Sequence, residues 1–590
     1  MQTAEQFKDF SHDLLWRLLL CLILLCTSTA LAAAPTVDVR IEGIEGELLA
    51  NTELLLSIKQ QQTHPLLTEG RIKRLHEKAD QEIRTALEVY GYYRVKIDKS
   101  LEQTGNETWL ATYKITLNDP IRLESVNVKL TGEGAFDPAL VEIFRKFPLS
   151  VGDVLNQKIY EKTKSIITQL TTERGYFENH YIDRRIDIDL EKYSARITFI
   201  MDSGPRYRFG KVTLDQDVLD EDYLRRFIPF SQDDPYSVGE LIDLQQALSN
   251  SDYFHDIQIE PQTSRRDTKE VPVDVKLTPR KRHKYTFGIG YGTDTRVRGK
   301  IGWAVPRVNR RGHRFDSEIK ASGISQSISA NYHIPIGDPR NEQVAFNAAI
   351  EDTTTDTRES LIRSIGVSLV QLPSKWRRII SLNYQDEDFT VGGEIGSSTL
   401  LMPGVSWTRI WADNPTDVDK GFRVDLAIRG ATDTVVSDTT FGQATIGAKL
   451  IRSLFGDNRI ILRGKAGSIV TNHFEQIPAS IRFFAGGSQS VRGFAYESLG
   501  PKNEQGEVVG GRELLEGSVE LEHQLNAKWA AAVFYDRGNA INNSTAPLEY
   551  SAGFGLRWKT PIGPIRVDYA SALSRDGHPW RFDINIGPDL

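Results

Sequence analysis

Phe422-Arg423-Val424-Asp425-Leu426-Ala427-Ile428-Arg429 alternates strictly between large apolar residues and small or charged ones. That is the period of a strand whose two faces meet different surroundings. The pattern recurs at Ile380, Leu382 and Tyr384, with Ser381, Asn383 and Gln385 between them, and again at Ile565, Val567 and Tyr569 around Arg566 and Asp568. It begins near residue 284 and continues to the C-terminal end. A soluble antiparallel sheet shows the same alternation. The length of the pattern, with long polar loops on one side and short turns on the other, points instead to a transmembrane barrel. Hydrocarbon admits only helices or closed barrels, because backbone groups there need internal partners. Short turns fall near Asn309–Gly312, Gly337–Arg340, Pro373–Lys375, Asn414–Lys420, Leu454–Asn458, Asn526–Lys528 and Thr560–Gly563. Seven such turns, with both chain ends on the same side, give sixteen strands. A barrel of that size encloses a watery lumen, which the arginines and aspartates would face.

Upstream of residue 280 the pattern is different. Residues 35–279 read as mixed α/β and contain an internal repeat. Each copy has a helical stretch ending in a turn, Gly91-Tyr92-Tyr93, Gly175-Tyr176-Phe177 or Asp252-Tyr253-Phe254, and then two strands. The copies close at Pro120, Pro205 and Pro279. In the first copy, Val37–Ile41 alternates as a strand. A helix is expected over 69–90, where Ile72, Leu75, Ala79, Ile83, Ala86 and Leu87 recur at three-to-four spacing. A glycine after the last turn ends it. Strands are expected at Tyr93–Ile97 and Trp109–Leu117. The order is β-α-α-β-β, with boundaries at 35–119, 120–204 and 205–279, followed by the barrel at 280–590. The aromatic pairs read as packing where helix meets strand, with no chemistry assigned.

Residues 18–34 carry no charge, follow Arg17 and end Thr29-Ala30-Leu31-Ala32-Ala33-Ala34-Pro35. That describes a secretory signal peptide over 1–34. Glu5, Asp9 and Asp13 make the pattern imperfect, and a membrane anchor is the competing reading, but the small-residue exit suits a peptidase. Cleavage there removes Cys21 and Cys26, so the exported chain has neither disulfides nor thiol chemistry. The whole chain has 39% apolar and 26% charged residues and a formal charge of −7. This excludes a helical membrane bundle, a disordered chain and a strongly basic nucleic-acid-binding protein.

The longest interval between short turns holds one outward loop, roughly residues 475–512. Inside it is Ala485-Gly486-Gly487-Ser488-Gln489-Ser490-Val491-Arg492-Gly493-Phe494. Val491-Arg492-Gly493-Phe494 resembles the signature of the outer-membrane assembly-factor superfamily that includes BamA and TamA. Ser518-Val519-Glu520-Leu521 resembles its glutamate-bearing strand, and Phe534-Tyr535-Asp536-Arg537-Gly538 its Phe-x-Asp-x-Gly strand. The N-terminal repeats resemble polypeptide-transport-associated (POTRA) domains. Their number, and the tail Ile586-Gly587-Pro588-Asp589-Leu590, are similar to the TamA branch. The resemblance implies three α/β POTRA domains in the periplasm, followed by a 16-stranded antiparallel transmembrane β-barrel in a Gram-negative outer membrane. It implies a non-enzymatic factor, without cofactor or metal, that inserts or translocates β-barrel clients such as autotransporters. A TamB-type inner-membrane-anchored partner and unfolded outer-membrane clients follow from it, alongside the lipid bilayer. The alternative is a polypeptide-secretion pore that threads clients through its lumen. A passive porin leaves the three repeats and the Arg492 loop unexplained.

In a strand, Phe534, Asp536 and Gly538 share one face, and Glu520 and Glu522 share another. If the loop folds into the lumen rather than above it, Arg492 reaches Asp536 and Glu520 with a forked guanidinium that stays charged. Gly493 then permits close approach to the wall, and Phe494 packs beside it. Such an anchor either braces a hollow barrel or sets its shape during client insertion.

A second candidate site is the seam between the first and last barrel strands. Tyr285, Phe287, Ile289 and Tyr291 make an apolar face, while Gly288, Gly290 and Gly292 leave little side-chain packing on the other. The last strand, Phe582–Ile586, runs into Gly587 and Pro588, and proline donates nothing to a ladder. Ile289 and Asn585 are expected to face each other across this seam. A weak closure exposes strand edges, and an exposed edge templates another strand. Motif chemistry is otherwise missing: there is no G-x-x-x-x-G-K-[ST] loop, no H-E-x-x-H and no G-x-S-x-G elbow.

Overall fold

The computed structural model describes residues 35–586 apart from 106, 264–267, 415–416, 544 and 562. The expected signal peptide over 1–34, with Cys21 and Cys26, and the seam residues Gly587 and Pro588 lie outside the described residues. The chain forms two compact units. One runs to Gly210 and includes 232–239 and 263–271; the other is the remainder, with the barrel.

The first repeat comprises β1 (Thr36–Glu42), helices Gly46–Leu55, Ser57–Gln60 and Glu69–Glu88, β2 (Lys96–Gln103) and β3 (Thr108–Thr116). Its sheet has the order β1-β3-β2, with β1 parallel and β2 antiparallel to β3. Helix Glu69–Glu88 starts where Thr68 Oγ1 accepts from the Arg71 N–H at 3.3 Å. Its apolar stripe is buried against Trp109, Tyr113 and Ile115. The second repeat has β4 (Arg122–Thr131), helices Pro138–Arg145 and Gln157–Glu173, β5 (His180–Asp189) and β6 (Ser194–Asp202), in the order β4-β6-β5. The third has β7 (Arg208–Asp215), helices Glu221–Arg225 and Val238–Asn250, β8 (Phe254–Pro261) and β9 (Glu270–Pro279), in the order β7-β9-β8.

The aromatic turns are sockets between successive modules. Gly91 O accepts from Ile121 N at 2.8 Å, Gly175 O from Tyr207 N at 2.9 Å, and Tyr253 O from Arg280 N at 2.9 Å. Each donor stands one or two residues after Pro120, Pro205 or Pro279, which explains why the repeat closes on proline. At the first two joints the second aromatic reaches forward. Tyr93 packs on the core of the second repeat and its hydroxyl accepts from Gln157 Nε2 at 2.9 Å. Phe177 meets Tyr207 and Tyr236 edge-on, with ring centroids 5.2 Å apart in both cases. Tyr93 is therefore turned out of the first sheet, and β2 begins at Lys96 rather than at Tyr93 as the alternation suggested. Gly175 has φ +85, and a Cβ there would stand 2.9 Å from the Tyr236 Cβ. Asp252 keeps the left-handed backbone, φ +64. Its carboxylate instead takes Arg280 at 3.3 Å and Lys284 at 3.2 Å.

Sixteen strands close into one antiparallel barrel in sequence order. They are β10 (Lys284–Gly292), β11 (Arg296–Val305), β12 (Arg314–Ala321), β13 (Ser325–Pro335), β14 (Glu342–Thr354), β15 (Arg358–Gln371), β16 (Arg377–Val391) and β17 (Glu394–Ala412). Then come β18 (Lys420–Ala431), β19 (Phe441–Ser453), β20 (Asn458–Val470), β21 (Glu513–Gln524), β22 (Trp529–Ile541), β23 (Glu549–Trp558), β24 (Ile565–Ser571) and β25 (Trp580–Ile586). Strand ends bracket all seven expected short turns, but on the other side, where long loops were expected, β10–β11, β12–β13, β14–β15 and β16–β17 are joined by two or three residues. Outward rows are apolar: Ile301, Ile319, Ile328 and Ile350 face one another in successive ladders and stay exposed. Beneath β11 and β12 the third repeat grips the first short turn. The Tyr253 hydroxyl, 2.8 Å from that of Tyr223, donates to Gly312 O at 2.6 Å, and Arg310 Nε donates to Asp220 Oδ1 at 3.0 Å.

One carboxylate of the second repeat makes its acid stability predictable. Asp137 opens helix Pro138–Arg145 and accepts from Ala139 N at 3.0 Å and Arg174 Nε at 2.7 Å, with Arg206 at 3.4 Å. Burial alone would push this carboxyl up, but those donors and charges outweigh it and hold it below the ordinary carboxylate range. A depressed native value adds stability that is complete above the unfolded-state value, about 3.9, and is lost as pH falls through the native one. Asp137→Asn should lower stability at neutral pH by roughly 1–3 kcal/mol and flatten the acid limb. Urea unfolding at neutral pH and at pH 3, followed by the helical dichroism that the repeats supply, measures both.

Candidate functional site: a buried charge cluster and the barrel seam

The 471–512 segment between β20 and β21 lies inside the barrel and carries its own apolar core. Phe474, Ile477, Ile481, Phe483, Val491, Phe494 and Leu499 are buried with wall residues Leu400, Met402, Phe441 and Leu514. Short pairings at Phe483–Gly511 and Ala485–Leu499 shape it into a narrow finger. Its flank is pinned to β15 and β16. Buried Glu387 accepts from Ser480 N at 3.1 Å and Ser360 Oγ at 2.7 Å, and also from Ser480 Oγ. Arg358 Nε donates to Glu497 Oε2 at 3.0 Å. Arg482 gathers the carbonyls of Ile477, Val509 and Glu475 at 2.8–3.0 Å.

At the tip, Arg492 points into β21 and β22. Its guanidinium forks onto Asp536, Nε at 2.7 Å and Nη2 at 2.8 Å, and its backbone N–H donates to the same carboxylate at 3.0 Å. Nη1 donates to Glu520 Oε2 at 2.6 Å and Nη2 to Ser518 Oγ at 3.1 Å. The guanidinium carbon lies 3.4 Å from the Phe534 ring centroid, a stacked cation–π contact. Gly493 has φ +90, and a Cβ there would sit 3.3 Å from Ala572 N. Val491 and Phe494 are buried on either side. Gly538 lets β22 approach β21, since a Cβ would stand 2.8 Å from Leu515 O. Tyr535 faces outward.

The cluster is larger than sequence reasoning suggested. Arg557 of β23, 1% exposed, donates to Glu520 at 2.6 Å, Glu522 at 3.1 Å and Asp568 at 2.6 Å. Arg459 of β20 donates to Glu522 at 2.7 Å and to Val418 O at 2.7 Å. Gly553 and Gly555 of β23 make room: a Cβ at Gly553 would stand 2.5 Å from the Phe534 ring, and one at Gly555 2.1 Å from Asp568 Oδ1. The Gly-x-Gly-x-Arg run at 553–557 was the available signal, since its three residues share one face. Among the described residues, no group of three or more His, Cys, Asp or Glu side chains is placed to hold a metal.

The seam differs from the other closures. β10 and β11 share nine facing pairs, and β24 and β25 share seven. Between β10 and β25 the described residues form one, Gly292 with Asn585, extended by Thr293 N donating to Ile584 O at 3.0 Å. Asn585 therefore faces Gly292 and not Ile289. The register is set by the end of β10, so Tyr285, Phe287 and Ile289 lie along an edge without a described partner. Gly288 and Gly290 are not bare on their inner side: side chains of Lys300 and Arg298 from β11 lie across them, 2.9 and 2.8 Å from where a Cβ would be. Arg298 Nη2 continues to Ile586 O at 2.7 Å.

Residues 283–589 match the family model described as the Omp85 superfamily domain. The chain belongs to the Omp85 superfamily. Two N-terminal segments match models of its soluble modules: 38–117 "POTRA domain TamA domain 1" and 207–280 "Surface antigen variable number repeat". The outer membrane protein assembly factor BamA of Nitratidesulfovibrio vulgaris is 23% identical over 436 residues, 69% of this chain and 54% of that protein. BamA of Neorickettsia risticii is 22% identical over 525 residues, 82% of this chain and 68% of that protein. The chain thus spans about half the length of the first relative and two thirds of the second. The crystal structure of BamA from Haemophilus ducreyi lacking POTRA domains 1–3 superposes with a TM-score of 0.65 at 17% identity, over 79% of this chain and 99% of that one. The shared fold of this Omp85 protein is POTRA modules followed by a 16-stranded barrel.

Breaking a buried ion pair from one side costs about 3–5 kcal/mol, because the other charge stays buried. Arg492→Lys retains the charge but not the fork, and should lower the temperature at which the unboiled barrel loses its compact gel mobility. Arg363→Ala, which removes an exposed pair with Asp386 and Asp388, should leave that temperature unchanged.

Proposed function

We propose that this protein is an outer-membrane assembly factor that inserts β-barrel clients, autotransporters among them, by pairing a client strand with the edge of β10 at the seam, which among the described residues is paired at Gly292 alone. The observation that carries this reading is the seam: one facing pair among the described residues, beside an exposed apolar edge at Phe287 and Ile289. Backbone N–H and C=O groups along that edge offer a client strand its hydrogen bonds, and pairing there lets it leave sideways into lipid. The sequence carries no G-x-x-x-x-G-K-[ST] phosphate loop, and in this reading client folding and burial in lipid drive the step. The soluble modules deliver clients on the periplasmic side, where their three-stranded sheets offer further edges.

The match of the first module to a TamA-type domain supports a TamA-like role, and with it a TamB-type inner-membrane-anchored partner. The alternative, a secretion pore, requires an open lumen. Here the lumen is crossed by a finger fixed to β15 and β16 at its flank and to β21 and β22 at its tip, which weighs for the sideways route.

Two measurements on the full-length protein test this. Gly292→Cys with Asn585→Cys places two thiols on a facing pair, within the Cα separation a disulfide bridges. Oxidation should stop folding of an added autotransporter in liposomes, and reduction should restore it; undiminished assembly with the seam locked would exclude the lateral route. Arg492→Ala should reduce client assembly several-fold more than it reduces barrel abundance. Equal losses would make the anchor a brace only.

A further inference from the structure

We infer that Asp294 is a positioning residue that couples the seam to the lumen finger, so that neither moves at the outer end without loosening the other. This rests on the seam reading above and concerns how that seam is held. Asp294 lies in the turn between β10 and β11 and is nearly buried. Its two oxygens serve two different elements. Oδ1 accepts from Arg581 Nη2 of β25 at 2.7 Å, and Oδ2 accepts from the backbone N–H of Ser488, in the finger, at 2.7 Å. Arg581 is oriented by Asp583 Oδ1, 3.0 Å from its Nε. On the finger side, Gly487 has φ +108, and a Cβ would come within 3.0 Å of Asp294 Oδ2, so the backbone reaches the carboxylate only because the residue is glycine. One carboxylate thus joins the first hairpin, the last strand and the finger.

The position of this junction decides what it does. Next to it, Ile584 N donates to Thr293 Oγ1 at 2.7 Å and Thr293 N to Ile584 O at 3.0 Å. The described fastening of the seam is concentrated there, and the edge from Lys284 to Tyr291 runs away from it. Asp294 therefore stands at the described fastening of the seam. Four residues beyond Ser488 stands Arg492, so the finger tip is held at two points, by the seam at one and by the charge cluster at the other. Behind the junction is a cavity of about 570 Å³, lined by Gly292, Asn585, Ser488, Gln489, Lys465 and Glu516, into which the tip can shift. If β25 swings away, Asp294 keeps one donor in place of two and its hold on Ser488 changes. By reciprocity, releasing Ser488 weakens the grip on Arg581.

The experiment is hydrogen exchange on the full-length protein in detergent, without client. Arg581→Gln alters only the strand side of the junction. Peptides covering 486–490 should then exchange about tenfold faster, the effect of losing one charge-assisted hydrogen bond, while Arg581→Lys stays near the parent. Unchanged exchange at 486–490 in Arg581→Gln would reduce Asp294 to a local staple and overturn the coupling. If Arg581→Gln does not fold, Ser488→Pro removes the N–H from the other side. Faster exchange in 580–586 then supports the coupling, and unchanged exchange refutes it. Because no client is present, this outcome is independent of whether the seam accepts one.

Discussion

A peptide N–H in hydrocarbon has no water to bond, so each one must find a carbonyl within the protein. That constraint organises everything after residue 284. It forces the strands to pair with neighbours, forces the last to return to the first, and makes the join between them the one place where chain connectivity contributes nothing. Elsewhere around the cylinder a hairpin or a loop holds adjacent strands together. Between β10 and β25 only cross-strand contacts do, and the described ones gather at one end. The edge they leave is the kind of surface that soluble proteins cover or blunt. In the assembly role proposed above, it is where a client strand would pair.

The lumen poses the opposite problem. Arg459, Arg492, Arg557, Glu520, Glu522, Asp536 and Asp568 sit together with almost no exposure. Removing such charges from water is expensive, and apolar residues of similar size often stabilise as well. What charges provide is discrimination. The Arg492 fork fits one carboxylate plane, and its remaining donors fit Glu520 and Ser518, so the finger has one seat and not many. With Glu387 and Arg358 holding the flank, the finger acts as a cross-member between distant strands. Its apolar core then accounts for burial that the watery side of a barrel would otherwise lack.

How far these features can be read from sequence depends on their range. Alternation over Phe422–Arg429 and its counterparts is local, and turn residues such as Asn309–Gly312 are local too, so the barrel and its strand number follow from them. The acids that meet Arg492 were singled out because Ser518–Leu521 and Phe534–Gly538 resemble strands of the superfamily, and same-face spacing then put Phe534 with Asp536 and Glu520 with Glu522. Arg557 and Arg459 were not singled out, since their partners lie on other strands and register is a non-local property. The same blindness put Asn585 opposite Ile289 when the register puts it opposite Gly292. Strand β2 started late because Tyr93 answers to the next module, and no window within one repeat contains that information.

The socket at each aromatic turn has a consequence for how such a chain is built. One carbonyl, one forward-reaching ring and one proline-led amide recur where a module meets its successor, and all three travel within about a module's length of sequence. A duplicated segment would arrive with its own joinery, and a deleted one would leave matching ends. Module number can drift without redesigning any joint. Asp252 marks where the series stops, its side chain turned to Arg280 and Lys284 as the chain passes from modules to cylinder.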